Sequence, residues 1–130
     1  MADAGRAFVP VRIAVLTVSD TRGLTEDRSG DVLVERLTTA GHLLADRAIC
    51  RDEQAEIEAR LRDWVADPGV DVAISTGGTG LTGRDVTVEA HEAVYEKAMP
   101  AFGALFTMLS HAKIGASAIQ SRACAGVAGG

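Results

Sequence analysis

Four glycines fall within seven residues in the segment Thr76-Gly77-Gly78-Thr79-Gly80-Leu81-Thr82-Gly83-Arg84-Asp85-Val86-Thr87. Glycine lets a backbone turn sharply and bring its N–H groups close to a ligand, so this density points to an anion site more than to a plain turn. Two known phosphate motifs come near and fail. Gly78 and Gly83 have P-loop spacing, but Arg84 and Asp85 stand where a lysine and a magnesium-binding hydroxyl belong. Gly78, Gly80 and Gly83 satisfy G-x-G-x-x-G, yet the region of Phe102 and Gly103 reads as helix and lacks the strand-ending acid that a dinucleotide ribose requires.

Asp52 and Asp85 are the acids that matter beside such a loop. Each stands near a helix start, where a carboxylate can act as an N-cap. The other reading is chemical. A carboxylate next to a bound phosphate is repulsive unless a divalent cation lies between them, and Mg²⁺ takes one or two carboxylates together with substrate phosphates. Asp52 and Asp85 are therefore candidate metal ligands on one reading and N-caps on the other. His42, His91 and His111 have no partner at ligand or triad spacing and read as structural or solvent-facing. Cys50 and Cys124 form no C-x-x-C pair and read as reduced, partly buried thiols.

These residues need elements to hold them. Val11-Arg12-Ile13-Ala14-Val15-Leu16-Thr17-Val18 is a short β-branched apolar run, the pattern of a strand buried on both faces in a parallel sheet. A polar loop follows over 19–28. A helix opens at Ser29-Gly30-Asp31, runs through Leu33 and Leu37, and stops at Gly41. Residues 42–50 read as a weaker strand. A second helix opens at Asp52, with Ile57, Leu61, Trp64 and Val65 on one apolar face, and ends at Pro68-Gly69. Residues 70–76 form a third strand and 87–98 a helix. Pro100 opens another helix, with Phe102, Leu105, Phe106 and Leu109 at i, i+3, i+4, i+7. Alternating strands and helices argue an α/β domain with a mainly parallel sheet, and such sheets bind ligands outside the carboxyl ends of their strands. The loops at Ser19-Asp20, Arg51-Asp52 and 77–85 lie at those ends.

Composition narrows the function class. The 130 residues are 47% hydrophobic and 24% charged, which suits one folded domain; residues 1–10 read as a tail and 11–130 as the domain. A formal net charge of −5, without a run of Lys or Arg, argues against a nucleic-acid or polybasic membrane partner. The first eight residues lack an apolar signal core, and no stretch approaches a membrane span, so a cytoplasmic location is expected.

Several strings together carry a family resemblance. Ser19-Asp20-Thr21-Arg22 with Asp27 and Ser29-Gly30, Thr76-Gly77-Gly78-Thr79-Gly80 with Gly83-Arg84-Asp85-Val86-Thr87, Met99-Pro100-Ala101-Phe102-Gly103, and Ser121-Arg122 resemble the MoaB/MogA family of molybdenum cofactor biosynthesis proteins, the molybdopterin adenylyltransferase type. The likeness covers the chain from Val11 onward. Met108-Leu109-Ser110-His111-Ala112-Lys113-Ile114-Gly115 and Gln120-Ser121-Arg122-Ala123 look closer to the MoaB branch. The loop Leu81-Thr82-Gly83 differs from the MogA branch.

The resemblance implies a three-layer α/β/α sandwich that assembles as a homo-oligomer, a trimer or, in the MoaB branch, a hexamer. It implies adenylylation of molybdopterin by Mg-ATP with release of pyrophosphate. The resemblance also implies that the family's two key acids, the candidate catalytic residues, fall on Asp52 and Asp85. The glycine loop, Thr76, Gly77, Gly78, Thr79 and Gly80, would contact phosphates or pterin, and Ser19, Asp20, Ser121 and Arg122 would line the same pocket. The family continues past this chain's last residue with a strand and helix, so a truncated domain is expected. In that setting the N–H groups of 77–80 would hold a phosphate, and Arg122 would be either a fork-shaped anion contact or a surface arginine. Two other readings stay open: a non-catalytic binder of molybdopterin or nucleotide, and a nucleotide pyrophosphatase like the competence-damage protein domain.

Overall fold

The computed structural model describes residues 6–20 and 26–129. Thr21 and Arg22 of the family-like string lie outside them. The elements run β1 (Arg12–Val18), α1 (Arg28–Thr39), β2 (Leu43–Cys50), α2 (Gln54–Ala66), β3 (Val72–Thr76), α3 (Thr87–Val94), β4 (Lys97–Ala98), α4 (Pro100–Ile114), a 3₁₀ turn (Gly115–Gln120) and β5 (Gly126–Val127).

The expected sheet is present. β1 lies between β2 and β3 and runs parallel to both. Its alternating side chains feed two cores. Ile13 and Val15 pack with Leu37, Leu33 and Val34 of α1 and with Ile74. Ala14, Leu16 and Val18 pack with Ile57, Leu61 and Trp64 of α2 and with Ala90 of α3. Helices therefore cover both faces of the sheet, which is the three-layer arrangement. Burial on both sides explains why β1 has no polar alternation. The strand ends are level: Val18 is opposite Cys50, Thr17 is opposite Thr76, and Ser19 N–H still bonds to Cys50 O at 2.8 Å. Three loops consequently leave the sheet side by side.

The structure corrects four sequence readings. The second helix begins at Gln54, with Glu53 as an N-cap lacking a side-chain bond, so Asp52 stands outside it. Val65 is exposed, off the apolar face. The third strand starts at Val72, because Val70 N–H closes a turn onto Asp67 O and Asp71 is taken by Arg12. The helix expected through Ala98 stops at Val94. Tyr95 turns extended, and Glu96 and Met99 N–H bond to Val127 and Ala125 O, pairing Lys97–Ala98 with Gly126–Val127. That pairing joins residues about thirty apart, which local periodicity does not register.

The N-cap of α1 is Asp27, two residues before the expected start at Ser29. Asp27 is fully buried and accepts from Thr17 Oγ1 at 2.9 and 2.8 Å, from Gly30 N–H at 3.0 Å and from Arg47 at 3.1 Å. The periodic helix after Pro100 is also present, but its apolar face has no cover: Phe102, Leu105, Phe106, Met108 and Leu109 are all exposed, and α4 buries no residue. A groove of about 620 Å³ runs beside Met108, His111 and Ile119. Among the described residues, no helix is long and apolar enough to cross a membrane.

Candidate active site

A cleft of about 380 Å³ opens at the level strand ends. Thr17, Val18, Ser19 and Asp20 supply the wall from β1; Asp52 comes from the loop after β2; Thr76, Gly77, Gly78 and Asp85 come from β3 and its loop; Ser29 comes from α1. Seven expected residues thus converge: Ser19, Asp20, Asp52, Thr76, Gly77, Gly78 and Asp85. Thr79, Gly80, Ser121 and Arg122 do not line the cleft. Thr17 and Ser29 do, and sequence reasoning missed both; Ser29's position just inside α1's N-terminus was the available signal.

The glycines have distinct causes. Gly77 and Gly78 have φ of +93° and +64°, the left-handed region that side chains disfavour. A Cβ at Gly77 would collide with Val18 O, and one at Gly78 with Thr87 Oγ1 while reaching 2.9 Å from Asp52 Oδ1. The loop therefore folds tightly over the ends of β1 and α3, with Asp52 beside it.

Four successive carbonyls of the loop are occupied. Thr87 Oγ1 donates to Gly77 O at 2.7 Å, and Thr87 N–H donates to Gly78 O at 3.1 Å. Arg122 N–H donates to Thr79 O at 2.8 Å, and Arg122 Nε donates to Gly80 O at 2.9 Å. The Arg122 guanidinium also holds Asp85 O at 2.8 Å and grips Glu89 through two bonds, at 2.6 and 3.0 Å. Arg122 is thus neither a loose surface arginine nor an open anion fork. It is the clamp that ties the glycine loop to α3. Ser121 is exposed beside it.

Neither key acid is a helix cap. The cap before α3 is Val86. Asp85 instead accepts Thr82 N–H at 3.0 Å and Thr82 Oγ1 at 2.7 Å, closing the tip of the loop. Those two bonds, hydroxyl first, hold its carboxyl below the ordinary aspartate range. Asp20 accepts Asp52 N–H at 3.0 Å and takes Arg84 Nη2 on both its oxygens, at 2.8 Å each, so its carboxyl is also held low, chiefly by Arg84. Asp52 moves the other way. Desolvation pushes its carboxyl up, the like charges of Asp20 and Asp85 add to that, and Arg84 opposes it.

The histidines and cysteines do not line the cleft. His91 Nε2 lies 2.8 Å from Ser75 Oγ, and its Nδ1 lies 2.7 Å from Thr87 O, between β3 and α3, where burial pushes its pKa down. His42 Nδ1 accepts Val11 N–H at 3.1 Å. His111 is exposed on α4. Cys50 is a buried free thiol and Cys124 a half-buried one.

Residues 14–129 match the family described as "Probable molybdopterin binding domain". The chain belongs to the MoaB/MogA family. It is 43% identical over 128 residues to "Molybdenum cofactor biosynthesis protein B" of Escherichia coli (strain K12), covering 98% of this chain and 75% of that one. A crystal structure of a molybdenum cofactor biosynthesis protein B superposes with a TM-score of 0.91 at 41% identity, over 95% of this chain and 78% of that one. The tungsten cofactor synthesizing protein MoaB from Pyrococcus furiosus gives a TM-score of 0.84 at 32% identity, over 95% of this chain and 77% of that one.

The cleft also bears on whether Mg²⁺ fits. Among the described residues, no group of three or more His, Cys, Asp or Glu side chains forms a protein-only metal cage. Mg²⁺ does not need one, since it prefers one or two carboxylates and completes its shell with water and phosphate. Asp52, a carboxylate pushed up by desolvation and then by its acidic neighbours, is the kind of group a cation would relieve. The donor set fits.

Proposed function

We propose that the protein acts in molybdenum cofactor biosynthesis by adenylylating molybdopterin with Mg-ATP. The observation that carries this reading is the convergence of Asp20, Asp52 and Asp85 on the glycine-loop cleft, where an anion binder alone would have no use for carboxylates. In the proposed reaction a terminal phosphate oxygen of the pterin attacks the α-phosphorus of ATP. A new P–O bond forms, the α–β bridge bond breaks, and pyrophosphate leaves. Such a transfer depends mainly on alignment and charge neutralisation.

The chain's residues divide that work. The carbonyls of 77–80 are engaged by Thr87 and Arg122, and the N–H groups of Gly77 and Gly78, the loop residues that line the cleft, are proposed to receive phosphate. Asp52 and Asp85 would hold Mg²⁺, which neutralises the phosphates when bound. Ser19, Thr76 and Ser29 line the cleft. Arg122 keeps the loop in shape through Gly80, Asp85 and Glu89. No side chain acts as a nucleophile.

The uncovered apolar face of α4 supports the further proposal that the protein works as a homo-oligomer. Phe106→Glu on that face should lower the mass found by sedimentation equilibrium without unfolding the sheet; an unchanged mass would remove α4 from the contact.

Pyrophosphate release from Mg-ATP tests the activity. Release that requires molybdopterin supports the adenylyltransferase. Equal release without pterin would replace it with a pyrophosphatase, and bound pterin without release would leave a binding protein.

A further inference from the structure

Among the described residues, Arg84 at the mouth of the cleft has a pairing that suits displacement. Arg84 Nη2 donates to both carboxylate oxygens of Asp20, at 2.8 Å each, and Nε lies 3.3 Å from Oδ2. The pair spans 64 residues, linking the glycine loop to the end of β1. Both partners are open to water, Arg84 at 63% and Asp20 at 38% side-chain exposure. An exposed pair of this kind adds little to stability and is cheap to break.

The neighbouring arginines are placed differently. Arg122 is committed to Gly80 O, Asp85 O and Glu89. Arg51 bonds to Glu56 on α2 at 3.3 Å. Arg84's partner is instead a carboxylate in the cleft wall, next in space to Asp52 through the Asp52 N–H bond. Arg84 is also the residue immediately before Asp85 in the loop. A divalent cation entering among these acids would compete with the guanidinium for Asp20, and a guanidinium displaced from a carboxylate is well suited to a phosphate, which it grips with the same fork.

We propose that Arg84 is an exchangeable counter-ion: it neutralises Asp20 in the absence of ligand and passes to a nucleotide phosphate when a divalent cation takes its place beside the acids. This rests on the Mg-ATP reading and deepens it, because it makes cation and nucleotide bind in concert. Each ligand frees the partner of the other, so each tightens the other's binding by the same factor.

The test uses Mn²⁺ as the probe, counted by electron paramagnetic resonance, with and without α,β-methylene-ATP, on wild type, Arg84→Gln and Arg84→Lys. Removing the guanidinium leaves Asp20 unneutralised, so Arg84→Gln should bind Mn²⁺ alone about tenfold more tightly, the scale of one lost unit charge a few ångströms from a divalent ion in water. The same variant should bind the nucleotide at least about tenfold more weakly, for want of a charge-assisted bond. The mutual tightening seen in wild type should then fall toward none. Arg84→Lys, which keeps the charge but not the fork, should lie between. Mn²⁺ affinity unchanged or weaker in Arg84→Gln, with wild-type mutual tightening kept, overturns the exchange while leaving the Mg-ATP reading standing. Wild type that binds neither Mn²⁺ nor the nucleotide overturns both.

Discussion

Two aspartate–arginine pairs lie near the end of β1. Asp27 is wholly buried; it accepts from Thr17, Gly30 and Arg47 and caps α1. Burial alone would push its carboxyl up, but the bonds from Gly30, Thr17 and Arg47 together bring it below the ordinary range. Asp20 is half open to water, and Arg84 is its main partner. The same two residue types therefore perform opposite tasks. A carboxylate enclosed by several donors belongs to the architecture, since removing its arginine leaves a buried charge without its counter-ion. A carboxylate at a cleft mouth, beside Asp52 and held by an exposed arginine, can change partners when a ligand arrives.

The largest break in this comparison should come from the buried side. Asp27→Ala strips Thr17 and Arg47 of their acceptor and uncaps α1, and should cost about 3 kcal/mol in urea unfolding. A loss near zero would mean the pair is no more structural than the exposed one. Next is Gly78→Val. It places a β-branched residue at φ +64° against Thr87 Oγ1 and Asp52 Oδ1, and should weaken nucleotide binding by about a hundredfold or more by calorimetry. Undiminished binding would put the anion site elsewhere.

The gentlest probe is Asp20→Asn. It should leave the unfolding midpoint almost unmoved while lowering the Asp52 pKa, because it deletes a like charge. In carboxyl-carbon NMR titrations of wild type, Asp52 should titrate above, and Asp20 and Asp85 below, an ordinary aspartate. Cation binding that needs ionised Asp52 should therefore fade with acid at a higher pH than a usual aspartate would give. Asp52 titrating below the usual range would deny the acidic crowding.

Local pattern made much of this legible. The unbroken apolar run of β1 announced a strand with both faces covered, and Ile57, Leu61 and Trp64 announced the face of α2 that covers one of them. The glycine cluster located the cleft because a backbone folded tightly over a strand end has to be glycine. Pairings between distant residues stayed hidden. Nothing near Arg84 in the sequence points to Asp20, and nothing near Arg122 points to Gly80 and Glu89. The short β4–β5 ladder cut into an expected helix for the same reason. The apolar spacing of α4 was visible, but spacing alone does not say whether the covering surface belongs to the same fold; here the face stands exposed.

On the proposed function, Asp52 and Asp85 make the glycine-loop cleft a site of adenylyl transfer. The most direct test of that function follows the label from [α-³²P]ATP into molybdopterin, with Mg²⁺, for wild type, Asp52→Asn and Asp85→Asn, each checked for a native unfolding midpoint. Wild type should form labelled adenylylated pterin, and each variant should lose about a hundredfold or more in rate, the scale of removing one electrostatic support from a transition state. Label transfer at the wild-type rate in both variants, or no labelled pterin from wild type, would contradict the claim.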